Sequence, residues 1–541
     1  MASISRDEFV KSATRAAADH PGATPCVPIA LRVLSDQLTP VLAYRRLVTQ
    51  DRRDDPSFLL ESVEGGERQG RYSILGARPV LEVRATAHKV SISDRRPGGT
   101  SRTYDSPDPL AVMRDLTRGH VLVIPPSSGT ACILPSCFLG GWVGYTGYDT
   151  VRYAEPEKLP FTAAPPDDRG LPDLHFGLYD AVVIFDHVQK VVFLVGLAMV
   201  GPREDPGTVY DRTVATLTGL LESIERHSRP LPSGLLEPES SPPTPLPSNM
   251  TRADHARMVD RALEYIRAGD IFQVVLGQRF ERVSDADPFD VYRALRAVNP
   301  SPYMVYLQAP GCILVASSPE ILCRVRASGP ANESNSAYTV TNRPLAGTRR
   351  RGRTPEDDLA LERELLADEK ERAEHVMLVD LGRNDVGQVA RAGSIRLPTV
   401  MEVERYSHVM HISSTVTGEI RPGYDGWDAL RAALPVGTIS GAPKIRAMQV
   451  IDEIEPVRRG PYGGGVGYVG LDGQMDIALT LRTIVVPTAM RRGAAWTYHL
   501  QAAGGIVADS RHDDEYMETV NKAAALARAV DVAERAFVRA P

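Results

Sequence analysis

A mixed α/β (α+β) fold in two halves is what the sequence predicts, and three observations predict it. The chain has 541 residues, of which 43% are hydrophobic and 24% charged, so it is long enough for several domain equivalents and apolar enough to bury large cores. Short alternating apolar runs dominate before residue 229, whereas helical periodicities mixed with strands follow residue 249. Between them the stretch 229–249, RPLPSGLLEPESSPPTPLPSN, is rich in proline and serine and has no hydrophobic period, as in an extended linker or long loop. The organisation expected is a strand-rich half over 1–228, the linker 229–249, and an α/β half over 250–541.

In chain order, MASISRDEFVKSATRAAADH is charged throughout and has no apolar signal region, so it predicts a short amphipathic helix and a chain that stays in the cytoplasm. YSILGARPVLEVRATAHKVSIS and LYDAVVIFDHVQKVVFLVGLA predict strands, the second a hairpin turning near Asp186 to Gln189. Pro125, Pro126 and Pro135 break the longest uncharged region, and Asp186 and Lys190 interrupt AVVIFDHVQKVVFLVGLAMV, so no membrane span is expected. After the linker, HARMVDRALEYIRAG, EDDLALERELLADEKERAEHVMLVDLGRND and DDEYMETVNKAAALARAVDVAERAF predict helices, and YMVYLQA, GCILVASS and ALTLRTIVVP predict strands. No internal repeat of fixed period is present, which excludes a solenoid or propeller.

A net charge of -6 excludes binding to nucleic acid by broad phosphate neutralisation. The five cysteines, Cys26, Cys132, Cys137, Cys312 and Cys323, have neither metal-ligand spacing nor an even count, so neither a zinc site nor a disulfide framework is expected.

Two helical segments each carry Glu-x-x-Glu, Glu371 with Glu374 and Glu515 with Glu518. Residues three apart share a helix face, so each pair is either a solvated surface or a pair of hard oxygen donors of the kind Mg²⁺ accepts. Gly465, Gly467 and Gly470 form a G-x-G-x-x-G, but QMDIALTLRTIVV after it alternates like a strand and opens no helix. The segment reads as a glycine-lined strand under close backbone approach. PVGTISGAPKIRAM lacks phosphate-loop spacing and predicts a tight turn feeding a helix at Pro443, its Thr438 either structural or placed to grip a carboxylate. AGTRRRGR over 346–353 is a local basic cluster, a solvated loop or a seat for an anionic substrate. His411 alternates with apolar residues on a strand, and pattern alone leaves a core role and a catalytic role open.

Taken together and in this order, GDIFQVV, SSPEIL, RPLAGTRRRG, AEHVMLVDLGRND, YSHVMHI, PVGTISGAPK, RRGPYGGGVGY, LRTIVV, QAAGGIVADS and EYMETVNKA resemble the chorismate-utilising enzymes and, within that family, the large subunits (component I) of anthranilate synthases. FLLES and GGWVGYTGYDTVR extend the resemblance into the first half. It implies the chorismate-binding enzyme fold, with two intertwined halves, large antiparallel sheets flanked by helices, and a cleft mainly in the second half. It also implies amination of chorismate at C2 with loss of the C4 hydroxyl, then elimination of pyruvate to give anthranilate, the first committed step of tryptophan biosynthesis.

By motif correspondence the resemblance makes Glu374 and Glu518 Mg²⁺ ligands, with Glu371 and Glu515 as further or water-mediated partners, and Glu320 the general acid. Arg482, Tyr462, Gly347, Thr348, Ala503, Gly504 and Gly505 correspond to positions that hold the substrate's carboxylates, and Thr438 and Lys522 line the same cleft. Chemical need makes His411 the base of the second step. The family's usual residue at Ala503 is glycine, so its methyl is expected to crowd the substrate carboxylate. Relatives that add water carry a lysine base at Gln273, and aminodeoxychorismate synthases carry a nucleophilic lysine at Ala346. Both departures favour an anthranilate synthase over an isochorismate, salicylate or aminodeoxychorismate synthase. A tryptophan-responsive binding protein without activity is disfavoured because all four glutamates remain. With no Cys-His-Glu glutaminase motif in the chain, a separate glutamine amidotransferase subunit is implied, in a heterotetramer of two large and two small subunits. The resemblance further implies inhibition by L-tryptophan in a pocket built from Leu60, Glu61, Ser62, Pro302, Tyr303, Met304, Val466 and Tyr468, with Asn299 to Ser301 alongside.

Overall fold

Alternating apolar strands must bury their inward faces, and here they do so in two large sheets packed face to face. The structure is a computed structural model that describes residues 2–34, 36–49, 52–64, 68–125, 134–226, 230–235, 246–328, 337–406 and 409–537. The first sheet runs from the short Gly441–Ala442 strand through Gln273–Ser284, Trp496–Ile506, Thr483–Pro487, Cys312–Ser318 and Tyr303–Ala309. It continues without a break into Ser57–Glu61, Tyr72–Ala77, Ala181–Asp186, Val191–Met199, Thr24–Leu34 and His120–Leu122. The second sheet likewise joins strands from both sides of the 229–249 stretch, with Gly465–Gly470 paired antiparallel to Gly141–Thr146. The halves are therefore intertwined at two seams, Tyr303–Ala309 on Ser57–Glu61 and Gly465–Gly470 on Gly141–Thr146. Of 229–249, residues 230–235 and 246–249 carry no helix or extended strand, and 229 and 236–245 lie outside the described residues.

The layer between the sheets is apolar and draws on both, with Phe58, Val305, Leu307 and Leu314 from the first meeting Val143, Tyr145, Val466 and Ala478 from the second. Phe58 and Tyr179 meet edge to face at 4.7 Å within it. Helices cover the outer faces. Arg6–Asp19, capped by Ser5, and Pro288–Val298 lie over the first sheet, as does the long C-terminal helix His512–Phe537. Among the described residues no helix is long and apolar enough to cross a membrane.

Several expected elements form as read, including the Asp186 hairpin and the helix that opens after Pro443. The glycine-lined segment is a strand between two others, where a side chain on Gly467 would come within 2.1 Å of the Asp476 carbonyl. Two readings are corrected. The expected single strand ALTLRTIVVP is two strands in different sheets, Met475–Leu479 and Thr483–Pro487. Thr480 holds the crossover by donating to Pro461 O at 2.6 Å, and Arg482 takes a left-handed φ of 45° there. The helical pattern from Glu356 onward is also two helices. Asp368 ends Pro355–Ala367 and caps Glu369–Val389 by accepting from the backbone of Lys370 and Glu371, a local bond that competes with helix continuation.

The inter-sheet layer makes a direct prediction. Leu307 is fully buried there, so Leu307→Ala should lower unfolding free energy by roughly 2–5 kcal/mol in denaturant titration. Val188→Ala, at the exposed tip of the Asp186 hairpin, should change it by less than about 0.5 kcal/mol.

Candidate active site

The site is built on one ladder. Gln273–Ser284 pairs with Trp496–Ile506 so that Val275, Leu276 and Gly277 face Gly505, Gly504 and Ala503. The two glycines leave room for side chains to lie against the backbone. A Cβ on Gly505 would stand 2.6 Å from Gln273 Nε2, and one on Gly504 would stand 3.3 Å from Glu515 Oε2 and 3.6 Å from Glu518 Oε2. The Ala503 methyl is buried in the main core, on the side of Gly277, whose missing side chain makes space for it.

The carboxylates arrive on two helices from different directions. Gln273 donates its amide to Glu374 Oε1 at 3.0 Å, and Glu371, one turn earlier on the same helix, is paired with Arg349 at 3.3 Å. On the C-terminal helix, Glu518 is paired with Lys522 at 2.6 Å, and Lys522 also donates to Ala503 O at 2.9 Å. Burial, then the charge of Glu374, raises the Glu371 carboxyl above its usual range. Burial likewise raises Glu515, with Glu518 adding to it, and Glu515 Oε2 is buried without a hydrogen-bond partner. Crowded carboxylates with an unsatisfied oxygen are a donor set that a hard cation would relieve. No three of these or other acidic, histidine or cysteine side chains among the described residues stand close enough to encage an ion.

Three groups form the chemical side of the cleft. Glu320 is 3% exposed and accepts from Thr438 Oγ1 at 2.9 Å. Burial pushes its carboxyl up to about 8, against the opposing pull of the Thr438 bond, so it carries a proton at neutral pH. His411 lies 2.9 Å by Nδ1 from Gly347 O and 3.1 Å from Thr348 Oγ1. A carbonyl only accepts, so Nδ1 bears the hydrogen, and the buried Nε2, which has no protein partner, is the free acceptor. Gly347 presents that carbonyl with a left-handed φ of 64°. Arg482 has no carboxylate within ion-pair distance among the described residues, and burial lowers its pKa. Tyr462 is buried with its hydroxyl against the Ala503 backbone.

Burial and then the Arg482 charge pull His411 down to about 4. An anion on Arg482 would cancel part of that repulsion. In the basic segment 346–353 two of the four arginines are already paired. Arg349 is occupied by Glu364, Asp368 and Glu371, and Arg351 by Asp358.

The residues of the expected regulatory pocket divide by strand alternation. Leu60, Tyr303, Val466 and Tyr468 gather in the inter-sheet layer, where the Tyr468 ring lies tilted against Phe138 at 4.6 Å and Tyr303 donates to Asp476 at 2.7 Å. Met304 packs in the cluster on the outer face of the first sheet. Beside it in register, Glu61 accepts from Tyr292 at 2.7 Å and pairs with Arg296. Pro302 precedes Tyr303 half-buried, and Ser62 lies just beyond Glu61 with its carbonyl bonded to Gly70 N.

Sequence reasoning gave no role to Tyr406, whose ring lies 5.6 Å from that of His411 and whose hydroxyl donates to Glu404. Its place inside the YSHVMHI segment was the available signal.

A buried acid and an imidazole with a free ring nitrogen can move protons, and a guanidinium without a carboxylate partner among the described residues can hold an anion. The chorismate binding enzyme family matches residues 56–528. The chain belongs to that family. Over 99% of this chain and 91% of the other, it is 49% identical to anthranilate synthase alpha subunit 1, chloroplastic, of Arabidopsis thaliana. It is 44% identical to anthranilate synthase component 1 of Pseudomonas aeruginosa over 98% of this chain and 99% of the other. The crystal structure of anthranilate synthase component I from Streptococcus pneumoniae superposes with a TM-score of 0.69 at 33% identity, covering 92% and 99% of the two chains. The resemblance to chorismate-utilising enzymes, read from ten segments of the second half and two of the first, thus extends over nearly the whole chain.

The glycine backing is testable by itself. Gly505→Ala should displace the Gln273 amide from Glu374 and weaken chorismate binding about tenfold or more while the melting temperature shifts by only a few degrees, as read by calorimetric titration and thermal melts.

Proposed function

We propose that this chain is the chorismate-converting component of an anthranilate synthase, using chorismate and ammonia to make anthranilate and pyruvate. The observation that carries the reading is Glu320, a carboxylic acid kept protonated at neutral pH inside the cleft of a chorismate-binding family member. Hydroxide is a poor leaving group, so loss of the C4 oxygen needs a proton donor. The C2–N bond forms as the ring double bonds shift, the C4–O bond breaks, the Glu320 proton leaves with that oxygen as water, and the ammonium formed at C2 releases one proton to solvent. In the second step His411 Nε2 takes the C2 proton, the C3–O bond breaks, and the enolpyruvyl group departs as pyruvate after gaining a proton. Arg482, with Tyr462, Gly347, Thr348 and the Ala503 to Gly505 backbone, orients the substrate's carboxylates, and its bound anion restores basicity to His411.

Mg²⁺ is the cofactor of this reading, held by Glu374 and Glu518 with Glu371 and Glu515 as outer partners, and when bound it supplies positive charge to the substrate's ring carboxylate. Gln273 is committed to Glu374 and has no basic nitrogen with which to activate water, which favours ammonia over the isochorismate and salicylate synthase reactions. Ala346 offers no nucleophile for the aminodeoxychorismate route.

The ammonia comes from a partner glutaminase subunit in this proposal. Burial raises the thiols of Cys26 and Cys137 to about 12 and of Cys312 to about 11, and Cys323 is raised as well, the opposite of an activated thiolate. Cys132 lies outside the described residues. We also propose an assembly of two large and two small subunits, a cytoplasmic location consistent with four free thiols, and inhibition by L-tryptophan.

Purified chain with chorismate, Mg²⁺ and ammonium at alkaline pH should yield anthranilate by fluorescence and mass detection, and glutamine should not replace ammonium. Glutamine-dependent turnover by the chain alone, or isochorismate as product, would overturn the proposal.

A further inference from the structure

One buried ion pair lies behind the cleft and touches two of its walls. Between Val274, where pairing with Gly441–Ala442 ends, and Arg279, where the 247–249 segment takes over, the outer edge of the Gln273–Ser284 strand has no backbone partner among the described residues. Glu455 and Arg459 cover that edge with side chains. Glu455 Oε1 accepts from Gly277 N at 2.8 Å, and Arg459 Nη2 donates to Val275 O at 2.6 Å. The same guanidinium holds both oxygens of Glu455, at 2.9 and 2.6 Å. Its remaining arm, Nη1, donates to Ile439 O at 2.6 Å in the one-turn helix Gly437–Ser440. Tyr148 lies under the cation, 4.6 Å from ring centre to guanidinium carbon. Both charged groups are almost wholly buried, 5% and 1% exposed.

The two elements so tied are the strand under Ala503 to Gly505 and the turn that carries Thr438, the residue next to Ile439. We infer that Arg459, paired with Glu455, is a positioning residue for the acid, fixing the Thr438 turn on the strand edge so that the Thr438 hydroxyl meets Glu320. A fork with fixed donor geometry is required, since a lysine ammonium cannot reach Glu455, Val275 and Ile439 together. The inference rests on the proposed acid role of Glu320 and extends it.

The test is Arg459→Lys in the full chain, assayed with ammonium at fixed free NH₃ across pH. The charge facing Glu455 is retained, so the fold should persist by circular dichroism and melting. We expect kcat to fall about 10- to 100-fold with the chorismate KM changed less than about threefold, the pattern of an interaction needed in the transition state. The alkaline limb of kcat should also move up by about 0.5 pH unit or more, because a displaced Thr438 no longer favours the ionised carboxyl. Thr438→Val should move the limb in the same direction, and the double variant should add little, as for two residues acting through one contact. If Arg459→Lys does not fold, Glu455→Gln, which keeps an acceptor for Gly277 N but loosens the guanidinium, should move the limb the same way. An unmoved limb, or additive effects in the double variant, overturns the inference and returns the pair to stability alone. Glu320→Gln separates the two claims. If it retains the wild-type limb, the acid reading and this inference both fall. If it loses the limb while Arg459→Lys leaves it in place, only this inference falls.

Discussion

The antiparallel pairing of Gln273–Ser284 with Trp496–Ile506 is the constraint on which the site depends. Its register sets Val275 opposite Gly505 and Gly277 opposite Ala503, and the missing side chains at 504 and 505 let two helices bring carboxylates down onto the strand. Glu374 reaches it through Gln273, and Glu518 through Lys522 and the Ala503 carbonyl. A one-residue slip would exchange the faces and put glycine where a side chain is needed. The sheet that contains this ladder continues through both halves of the chain, so the cleft is braced by the whole fold.

Electrostatic roles are separated by environment. Glu320 is far from the acidic cluster in bonding terms, touching a hydroxyl and backbone, and burial keeps its proton. His411 is held neutral by burial and by Arg482, and Arg482 stands without an internal anion. In the proposed reaction an anion held by Arg482 would relieve that repulsion and raise the basicity of His411 through the same contact that orients the substrate. Arg349 and Arg351, which follow Gly347 and Thr348, are paired with the carboxylates of Asp368 and Asp358.

Much of this was legible in the sequence because it is local. The Glu-x-x-Glu spacing declares itself on a helix, glycine runs declare close backbone approach, and the segment order carries the family. What was not legible depends on contacts between distant residues. LTLRT alternates smoothly, yet the chain switches sheets at Arg482 because Thr480 is tied to Pro461. AGTRRRGR looks like an open basic loop until Glu364, Asp358 and Asp368 fold back onto it. The inhibitor-pocket residues read as one set in sequence, but strand alternation sends Met304 and Tyr303 to opposite faces. In RRGPYGG, Arg459 has the look of surface charge, and only the fold shows it buried on Glu455.

In the proposed reaction Glu320 donates the proton that frees the C4 oxygen while other groups hold the substrate. The most direct test of this step is single-turnover analysis of Glu320→Gln with chorismate and saturating ammonium, alongside a binding measurement by titration calorimetry. The account predicts chorismate affinity within about threefold of the unaltered chain, because Arg482 and the glycine-backed wall are untouched, and consumption of chorismate slowed by roughly 10²- to 10⁴-fold. Chorismate consumed at an undiminished rate, or affinity and rate lost together to the same degree, would contradict it.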